Sequence, residues 1–176
     1  MKSPHVGITT LVAIAAGVLL SLVHVPGHAT DDKRWSGALC TPYGGTKQED
    51  YIIRGDGIQN ASTTANKSVV CAITKDAEEG YSDANGHAAL FVYGTRTIKG
   101  SVQCVLNKGN ASFGPVVTVT RDIAPATTDW TATFDAADFS GAGATETITV
   151  VCRLPPRAKL AHILWYEDNT TNIAPL

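Results

Sequence analysis

The sequence predicts an all-β protein, an antiparallel β-sandwich of the immunoglobulin-like or jelly-roll-like kind with 8–9 strands and two disulfides. Three observations predict this fold. After residue 30, apolar and polar residues alternate in short segments, whereas the spacing of an amphipathic helix is scarce. Clusters of Gly, Asn and Asp separate these segments, as turns do. Four cysteines form an even set that can cross-link the strands.

The candidate strands contain β-branched or aromatic residues and lie between turn signals such as Gly44-Gly45 and Asn85-Gly86. Pro155-Pro156 ends one strand, because proline has no backbone N–H to donate to a neighbouring strand. The candidates are residues 37–42, 51–54 with 57–60, 67–74, 87–93, 99–107, 115–122, 129–134, 145–154 and 162–167. No linker interrupts this series, which indicates one domain.

The first 29 residues have the layout of a cleavable secretory signal. Lys2 supplies a short positive region, and residues 6–25 form a long apolar stretch. Gly27-His28-Ala29 places small residues before a polar start, so we expect cleavage after Ala29 and one domain over residues 30–176. The alternative is an uncleaved membrane anchor. We therefore expect a secreted protein, extracellular or periplasmic, with no transmembrane segment after cleavage.

Composition excludes two classes of protein. The chain has 14 Lys and Arg against 16 Asp and Glu, a formal net charge of −2, so it has no basic excess that would attract nucleic acid. Hydrophobic residues make up 44% and charged residues 17%, which provides apolar material for a core and too little charge for a disordered polyelectrolyte. We expect a compact protein without a nucleic-acid partner.

The four cysteines, Cys40, Cys71, Cys104 and Cys152, indicate two disulfides in an exported protein. Strand alternation places three of them on apolar faces. Three pairings are possible, and we favour the sequential one, Cys40–Cys71 with Cys104–Cys152. Each cross-link would stabilise the fold by roughly 3.5–4 kcal/mol in the loop-entropy treatment. The sequence contains no C-x-x-C and leaves no odd thiol, so neither a zinc site nor a catalytic cysteine is expected.

Aromatic residues divide into core candidates and surface candidates. Phe91, Trp130 and Phe134 are expected in the core, with Phe91 and Tyr93 on one face of their strand. Trp165 shares a face with Ile163, whereas Tyr166 points the other way. Aromatic residues in or near loops are the candidates for stacking on a sugar. They are Tyr43, Tyr51 and Tyr81, together with Trp35.

The densest acidic segment, residues 75–86, contains a possible calcium site at Asp76, Asp83 and Asn85. Alternating oxygen ligands suit a hard cation, but the distant bidentate Glu of a calcium loop is missing. A solvated loop is the favoured interpretation.

Two surface motifs are interpreted as turns. Arg54-Gly55-Asp56 is an adhesion-type tripeptide at a predicted turn, where Gly55 relaxes the backbone. Four N-x-S/T sequons begin at Asn60, Asn66, Asn110 and Asn169. They are glycan acceptors if the source is eukaryotic, and turn-forming residues, the interpretation we favour, if it is bacterial.

Catalytic signals are weak. The sequence contains no G-x-S-x-G, and no serine stands out as a partner for His87 or His162. Asp135 and Asp138 form a possible carboxylate pair, but glycoside hydrolysis needs such a pair on either side of a deep cleft. A small sandwich has little spare chain for those walls. We therefore expect no enzymatic activity and no cofactor.

Several short motifs connect the four cysteines. They are C-x-P at Cys40, G-I-x-N-x-S at residues 57–62, V-V-C-x-I at 69–73, S-x-x-C at 101–104, C-x-L-P at 152–155 and a closing Tyr166-Glu167. This layout resembles a loose group of small secreted four-cysteine bacterial proteins of uncharacterised function. The resemblance covers residues 39–167, with Ala72 where similar chains often carry Pro. It implies a β-sandwich and export, but no activity.

The sequence thus favours a secreted or cell-envelope structural or adhesive module that binds other proteins through strand edges or loops. One alternative is a carbohydrate-binding module that uses Tyr43, Tyr51 and Tyr81, for which the partner is a surface glycan. The other alternative is a small secreted hydrolase.

Overall fold

The computed structural model describes residues 31–74, 88–97, 100–110, 117–139 and 146–167. These residues form strands in two antiparallel sheets, which confirms the predicted β-sandwich. The strands are β1 Asp31–Ser36, β2 Thr41–Tyr43, β3 Tyr51–Arg54, β4 Gly57–Asn60, β5 Lys67–Ile73, β6 Ala88–Thr95, β7 Val102–Asn110, β8 Val117–Ile123, β9 Asp129–Phe134, β10 Glu146–Leu154 and β11 Lys159–Glu167. The predicted secretory signal lies outside these residues, and none of their helical turns is long and apolar enough to cross a membrane.

The two sheets differ in how their central strands are paired. The five-stranded sheet has the order β2-β5-β10-β7-β8. The six-stranded sheet has the order β3-β4-β11-β6-β9, and β1 also pairs with β11. Along one side of β11, β4 pairs with Lys159 and Leu160, and β1 pairs with residues 162–167. Strand β11 therefore has neighbours along most of both sides and forms the centre of its sheet.

The described residues contain 11 strands, more than the 8–9 that the sequence predicts. Strand β1 was missed because its Asp-Asp-Lys-Arg start lacks apolar alternation; backbone pairing with β11 and the packing of Trp35 against the core hold it in place. The predicted strand over residues 37–42 is also wrong in part. Gly37–Leu39 is a 3₁₀ turn, and β2 begins only at Thr41.

The core lies between the inner faces of the two sheets. Trp130 and Phe134 of β9 are buried there, as the alternation in that strand predicts. Trp165 of β11 is fully buried and packs edge-to-face on Phe139, with ring centroids 5.0 Å apart. Burying a large side chain of this kind contributes roughly 1.5–3 kcal/mol, so these rings do much to hold the sheets together.

The structure confirms the favoured disulfide pairing. Cys104 and Cys152 lie directly opposite each other on β7 and β10, with Cα atoms 4.1 Å apart. Cys40, just before β2, is bonded to Cys71 of β5, with Cα atoms 4.4 Å apart. No cysteine is free. Both bonds join neighbouring strands of the five-stranded sheet, so contact between the two sheets depends on core packing and not on sulfur.

A fully buried amide organises one end of the sandwich. The side-chain nitrogen of Asn60 donates to the carbonyls of Ala65, Leu154 and Pro155 at 2.8–3.1 Å, and its oxygen accepts from the Ser62 N–H at 2.9 Å. Ser62 and Ala65 lie in the loop between β4 and β5, and Leu154 and Pro155 lie where β10 ends, so the Asn60 side chain joins these two connections through their backbone groups. Because the Asn60 amide is enclosed, this sequon does not accept a glycan in the folded chain.

The buried guanidinium of Arg96 also joins separate segments of the chain through hydrogen bonds to backbone carbonyls. Arg96, only 4% exposed, follows β6 and donates to the carbonyls of Gly100, Ala124 and Thr127. These acceptors lie in the segments around β7, β8 and β9. A buried cation is tolerated when its donors are satisfied, and these three backbone carbonyls let Arg96 tie the segments together.

Candidate functional site

The outer face of the six-stranded sheet carries aromatic side chains from two neighbouring strands. In β6, Leu90 and Val92 point into the core, whereas Phe91 and Tyr93 point outward and are half-buried. In β11, Trp165 points inward and Tyr166 points outward. Most outer faces of antiparallel sheets are polar, so aromatic rings on this surface are a functional signal.

Strand register arranges these side chains in cross-strand rows. One row runs from β1 through β11 and β6 to β9 as Ser36, His162, Tyr93 and Thr131. The next row is Arg34, Leu164, Phe91 and Thr133. Leu164 is only 5% exposed although it is not part of the core between the sheets, so its neighbours on the outer face cover it. The rings therefore lie beside a buried leucine of the same face, and the hydroxyl-bearing residues Ser36, Thr131 and Thr133 lie at the ends of the rows.

Ring contacts join the outward side chains into one surface. Tyr93 stacks on His162, with centroids 4.6 Å apart and planes inclined by 23°. Phe91 lies 6.2 Å from Tyr93 at 18° and meets Tyr166 edge-on at 5.7 Å. We call these four side chains the aromatic face. Two of these contacts are nearly parallel stacks and the third is edge-on, so the four rings form one ordered cluster on the outer face.

An irregularity in β11 places His162 on this surface. The pairing between β11 and β6 shifts between Leu160 and His162, so Ala161 is an extra residue in the strand. Such a bulge turns the following side chains relative to the preceding ones. Leu160 and Ile163 both remain buried, and His162 between them lies opposite Tyr93.

Partial burial changes the protonation of two members of the aromatic face. Burial, aided by the neighbouring Tyr166, raises the pKa of Tyr93, and this effect outweighs the opposing influence of Arg34. Burial and the positive charge of Arg34 both lower the pKa of His162 below its usual 6.5. At neutral pH the imidazole and this phenol are therefore uncharged, and Arg34 provides the positive charge beside them.

The lowered pKa of His162 predicts that stability depends on pH. Below pH 6.5 the unfolded chain binds a proton at His162 more readily than the folded chain does. The stability linked to this group is therefore present above pH 6.5 and is lost as pH falls through the lowered folded pKa. Urea unfolding across this range should show the loss in the unaltered protein and a smaller loss in His162→Gln.

His87→Gln serves as the control for that experiment, because His87 is the other histidine after residue 30. The two variants should differ in the pH dependence of the free energy of unfolding. An equal pH dependence in His162→Gln and the unaltered protein would contradict the prediction.

The tyrosines that the sequence selects do not lie together. Tyr43 of β2 is 51% exposed at the edge of the five-stranded sheet. Tyr51 of β3 is only 7% exposed, and its hydroxyl donates to the Ser68 carbonyl and lies within hydrogen-bond distance of Thr46 Oγ1, 3.0 Å away. The expectation of an accessible Tyr51 ring in a loop is therefore wrong. Tyr81 lies outside the described residues.

Of the remaining surface candidates, Trp35 lies among the described residues, whereas the predicted calcium ligands do not. Trp35 is half-buried and packs against the core. Among the described ranges, no group of three or more His, Cys, Asp or Glu residues could hold a metal ion. The predicted calcium ligands, Asp76, Asp83 and Asn85, lie outside those ranges.

The possible carboxylate pair has a structural role. Asp138 accepts from the guanidinium of Arg121 and from the backbone N–H of Asp135 at 2.9 Å. Arg121 of β8 also donates to the Thr133 carbonyl of β9 at 3.0 Å, and so ties one edge of each sheet to the other. Asp135 in turn accepts from the Ala137 N–H. These bonds fix a 3₁₀ turn and a sheet edge.

The adhesion-type tripeptide forms the turn between β3 and β4, as expected. Gly55 is exposed, and its carbonyl accepts from the Ser36 hydroxyl at 2.9 Å. The carboxylate of Asp56 lies 2.7 Å from Lys159 Nζ, and this cation lowers the pKa of Asp56. Gly57 has φ +138°, and a Cβ there would meet the Leu160 carbonyl, so the turn needs glycine. The tripeptide is thus held by contacts with β1 and β11 of its own sheet.

Phe91 is the functional candidate that the sequence assigns wrongly. Its expected place was the core, but it is half-buried on the outer face. The signal that could have found it is the apolar run Leu90-Phe91-Val92-Tyr93, in which both strand faces are hydrophobic. A strand of this kind needs cover on both sides, or else exposes one apolar face for binding.

No protein-family model matches the chain, and no curated protein matches it. Among solved structures, the chain is similar to a low-affinity xylan-binding module, CBM86, from the gut symbiont Roseburia intestinalis, with 15% identity, a TM-score of 0.44, and coverage of 79% of this chain and 96% of that one. It is also similar to the family 11 carbohydrate-binding module of a cellulosomal cellulase from Clostridium thermocellum, with 8% identity, a TM-score of 0.35, and coverage of 79% and 85%. An exo-β-1,3-galactanase from Phanerochaete chrysosporium gives 10% identity and a TM-score of 0.40, covering 77% of this chain and 29% of that one. These values are too low to assign a ligand or an activity to this chain.

Proposed function

We propose that the protein is a non-enzymatic carbohydrate-binding module whose aromatic face stacks on the sugar rings of a glycan chain. The observation that carries this proposal is the stacked surface formed by Phe91, Tyr93 and His162 on an outer sheet face. A pyranose ring has apolar C–H faces and hydroxyl edges. Flat aromatic rings match its faces, and neighbouring polar groups bind its hydroxyls.

Polar groups of both kinds border the rings. Tyr93 has a phenol that is uncharged at neutral pH and can donate, and the uncharged imidazole of His162 offers one donor and one acceptor. Thr131 and Thr133 of β9 are exposed at the ends of the two rows. The rows run across four strands, which gives room for consecutive sugars along an extended chain.

The edges of the sheets give less support to strand-mediated binding of proteins. Strands β2 and β3, which form one edge of each sheet, contain three and four residues, and Pro42 lies in β2. Strands β8 and β9 form the opposite edges and are tied together through Arg121, and β1, which pairs with β11, adds one six-residue edge to the six-stranded sheet. Short, proline-containing or occupied edges offer few free N–H and C=O groups to an added strand. This favours binding at a sheet face over binding at an edge.

The compartment fits this proposal. Two disulfides and no free thiol indicate an oxidising environment, where glycans of cell surfaces are accessible.

Removing the stacked rings tests the proposal. Phe91→Ala and Tyr93→Ala should each weaken glycan binding by about tenfold or more, since the loss of one stacking ring costs about 1.4 kcal/mol or more. Affinity electrophoresis against xylan, mixed-linkage β-glucan, galactan and polygalacturonate would measure the effect. Tyr43→Ala is the matched control, because Tyr43 is an exposed tyrosine of the other sheet and should leave binding unchanged.

Circular dichroism of each variant shows whether the fold is retained. Loss of binding in the Tyr43 variant alone would overturn the proposed surface in favour of the one that the sequence predicts. Failure of the unaltered protein to bind any polysaccharide of the panel would overturn the proposed function.

A further inference from the structure

Arg34 lies beside the aromatic face. Alternation in β1 directs Trp35 towards the core, and Arg34 therefore points to the outer face, where it is exposed. It lies opposite Leu164, which lies opposite Phe91. Its positive charge helps to lower the pKa of His162 and opposes the rise in the pKa of Tyr93, so the guanidinium is within electrostatic reach of the stacked pair.

The charge of Arg34 is not neutralised by a described neighbour. Four other cations of the described segments form ion pairs, which are Lys47–Glu49, Lys67–Asp50, Arg121–Asp138 and Lys159–Asp56. Arg34 forms no such pair within those segments. Asp32 precedes it by two positions, at the end of the strand pair where β1 faces Tyr166. The end of the aromatic face formed by His162 and Tyr93 is thus the place for an incoming anion.

We propose, on the basis of the proposed glycan binding, that this face selects acidic glycans, with Arg34 binding the carboxylate of a uronic acid. A guanidinium presents parallel N–H donors that match the two oxygens of a carboxylate, and the resulting charge-assisted bonds are stronger than those to a neutral hydroxyl. The rings of the aromatic face stack on the sugars of the same chain. Arg34 is then the residue that determines specificity, and the rings supply affinity that does not depend on charge.

The test compares uronate-containing polysaccharides with the same polymers after chemical reduction of their carboxyl groups. Glucuronoxylan and polygalacturonate are suitable probes, because reduction removes the charge and keeps the backbone. The unaltered protein should bind the acidic form about five- to tenfold more tightly than the reduced form, and added salt should narrow this difference. Arg34→Gln should abolish the preference, so that the acidic and reduced forms bind with nearly equal affinity.

Arg153→Gln is the matched control, because Arg153 is an exposed arginine of the five-stranded sheet and should keep the preference. Equal binding of acidic and reduced polymers by the unaltered protein would overturn the role of Arg34 and leave the proposed function intact. A preference that persists in Arg34→Gln would do the same. Failure to bind either form of any polymer would overturn both proposals.

Discussion

Replacing both Cys104 and Cys152 with alanine should lower the free energy of unfolding by about 4 kcal/mol. The two residues are 48 positions apart, so the bond removes much conformational freedom from the unfolded chain. The pair is also completely buried at the centre of its sheet. Urea unfolding followed by tryptophan fluorescence would measure the difference, with the slope of the transition reported beside its midpoint.

The double variant Cys40→Ala/Cys71→Ala is the comparison, since that bond closes a separation of 31 positions at an edge of the same sheet. It should cost a similar amount, about 3.7 kcal/mol. Both variants should unfold in one cooperative transition, because the core and not sulfur joins the two sheets. A loss below about 1 kcal/mol, the size of an ordinary point substitution, would contradict the prediction. Independent unfolding of the two sheets would contradict the role assigned to the core.

Asn60→Ala should lower the free energy of unfolding by about 3 kcal/mol. The substitution removes the donors to the carbonyls of Leu154 and Pro155, which are buried contacts, and the acceptor of the Ser62 N–H. Buried polar groups left without a partner keep their desolvation cost, which is why the expected loss exceeds that of one average hydrogen bond. Thermal and urea unfolding would measure it.

Asn66→Ala provides the matched control, because Asn66 begins the next sequon and is exposed. Its amide oxygen accepts from the exposed guanidinium of Arg153 at 3.1 Å, so its loss should cost no more than one solvent-exposed contact, about 1 kcal/mol or less. Equal stability of the two variants would show that the buried amide contributes no more than an exposed one. Expression in a glycosylating host gives a second measurement, in which folded protein should carry no glycan at Asn60.

The aromatic face shows where prediction from sequence reached its limit. Alternation correctly places Tyr93 on the same strand face as Phe91 and directs Tyr166 away from Trp165. It does not say which face of β6 is the inner one, because Phe91 and Tyr93 alternate with Leu90 and Val92, so that both strand faces carry large apolar groups. The position of His162 depends on a bulge, and a bulge is decided by how β11 pairs with both neighbours. Arg34 lies in a strand that its own sequence does not indicate.

Local chemistry determined most of the strands and the turns between them, because side-chain alternation and turn residues act over short stretches of chain. It favoured one of three cysteine pairings, and the pairing of β2 with β5 and of β7 with β10 decided it. Only the tertiary structure decided that Asn60 of a surface-type motif is enclosed, that Tyr51 is buried, and that three separate strands bring Arg34, Tyr93 and His162 together. The physical reason is that burial and proximity depend on which strands become neighbours. That choice is made by packing the whole core, and no single segment contains it.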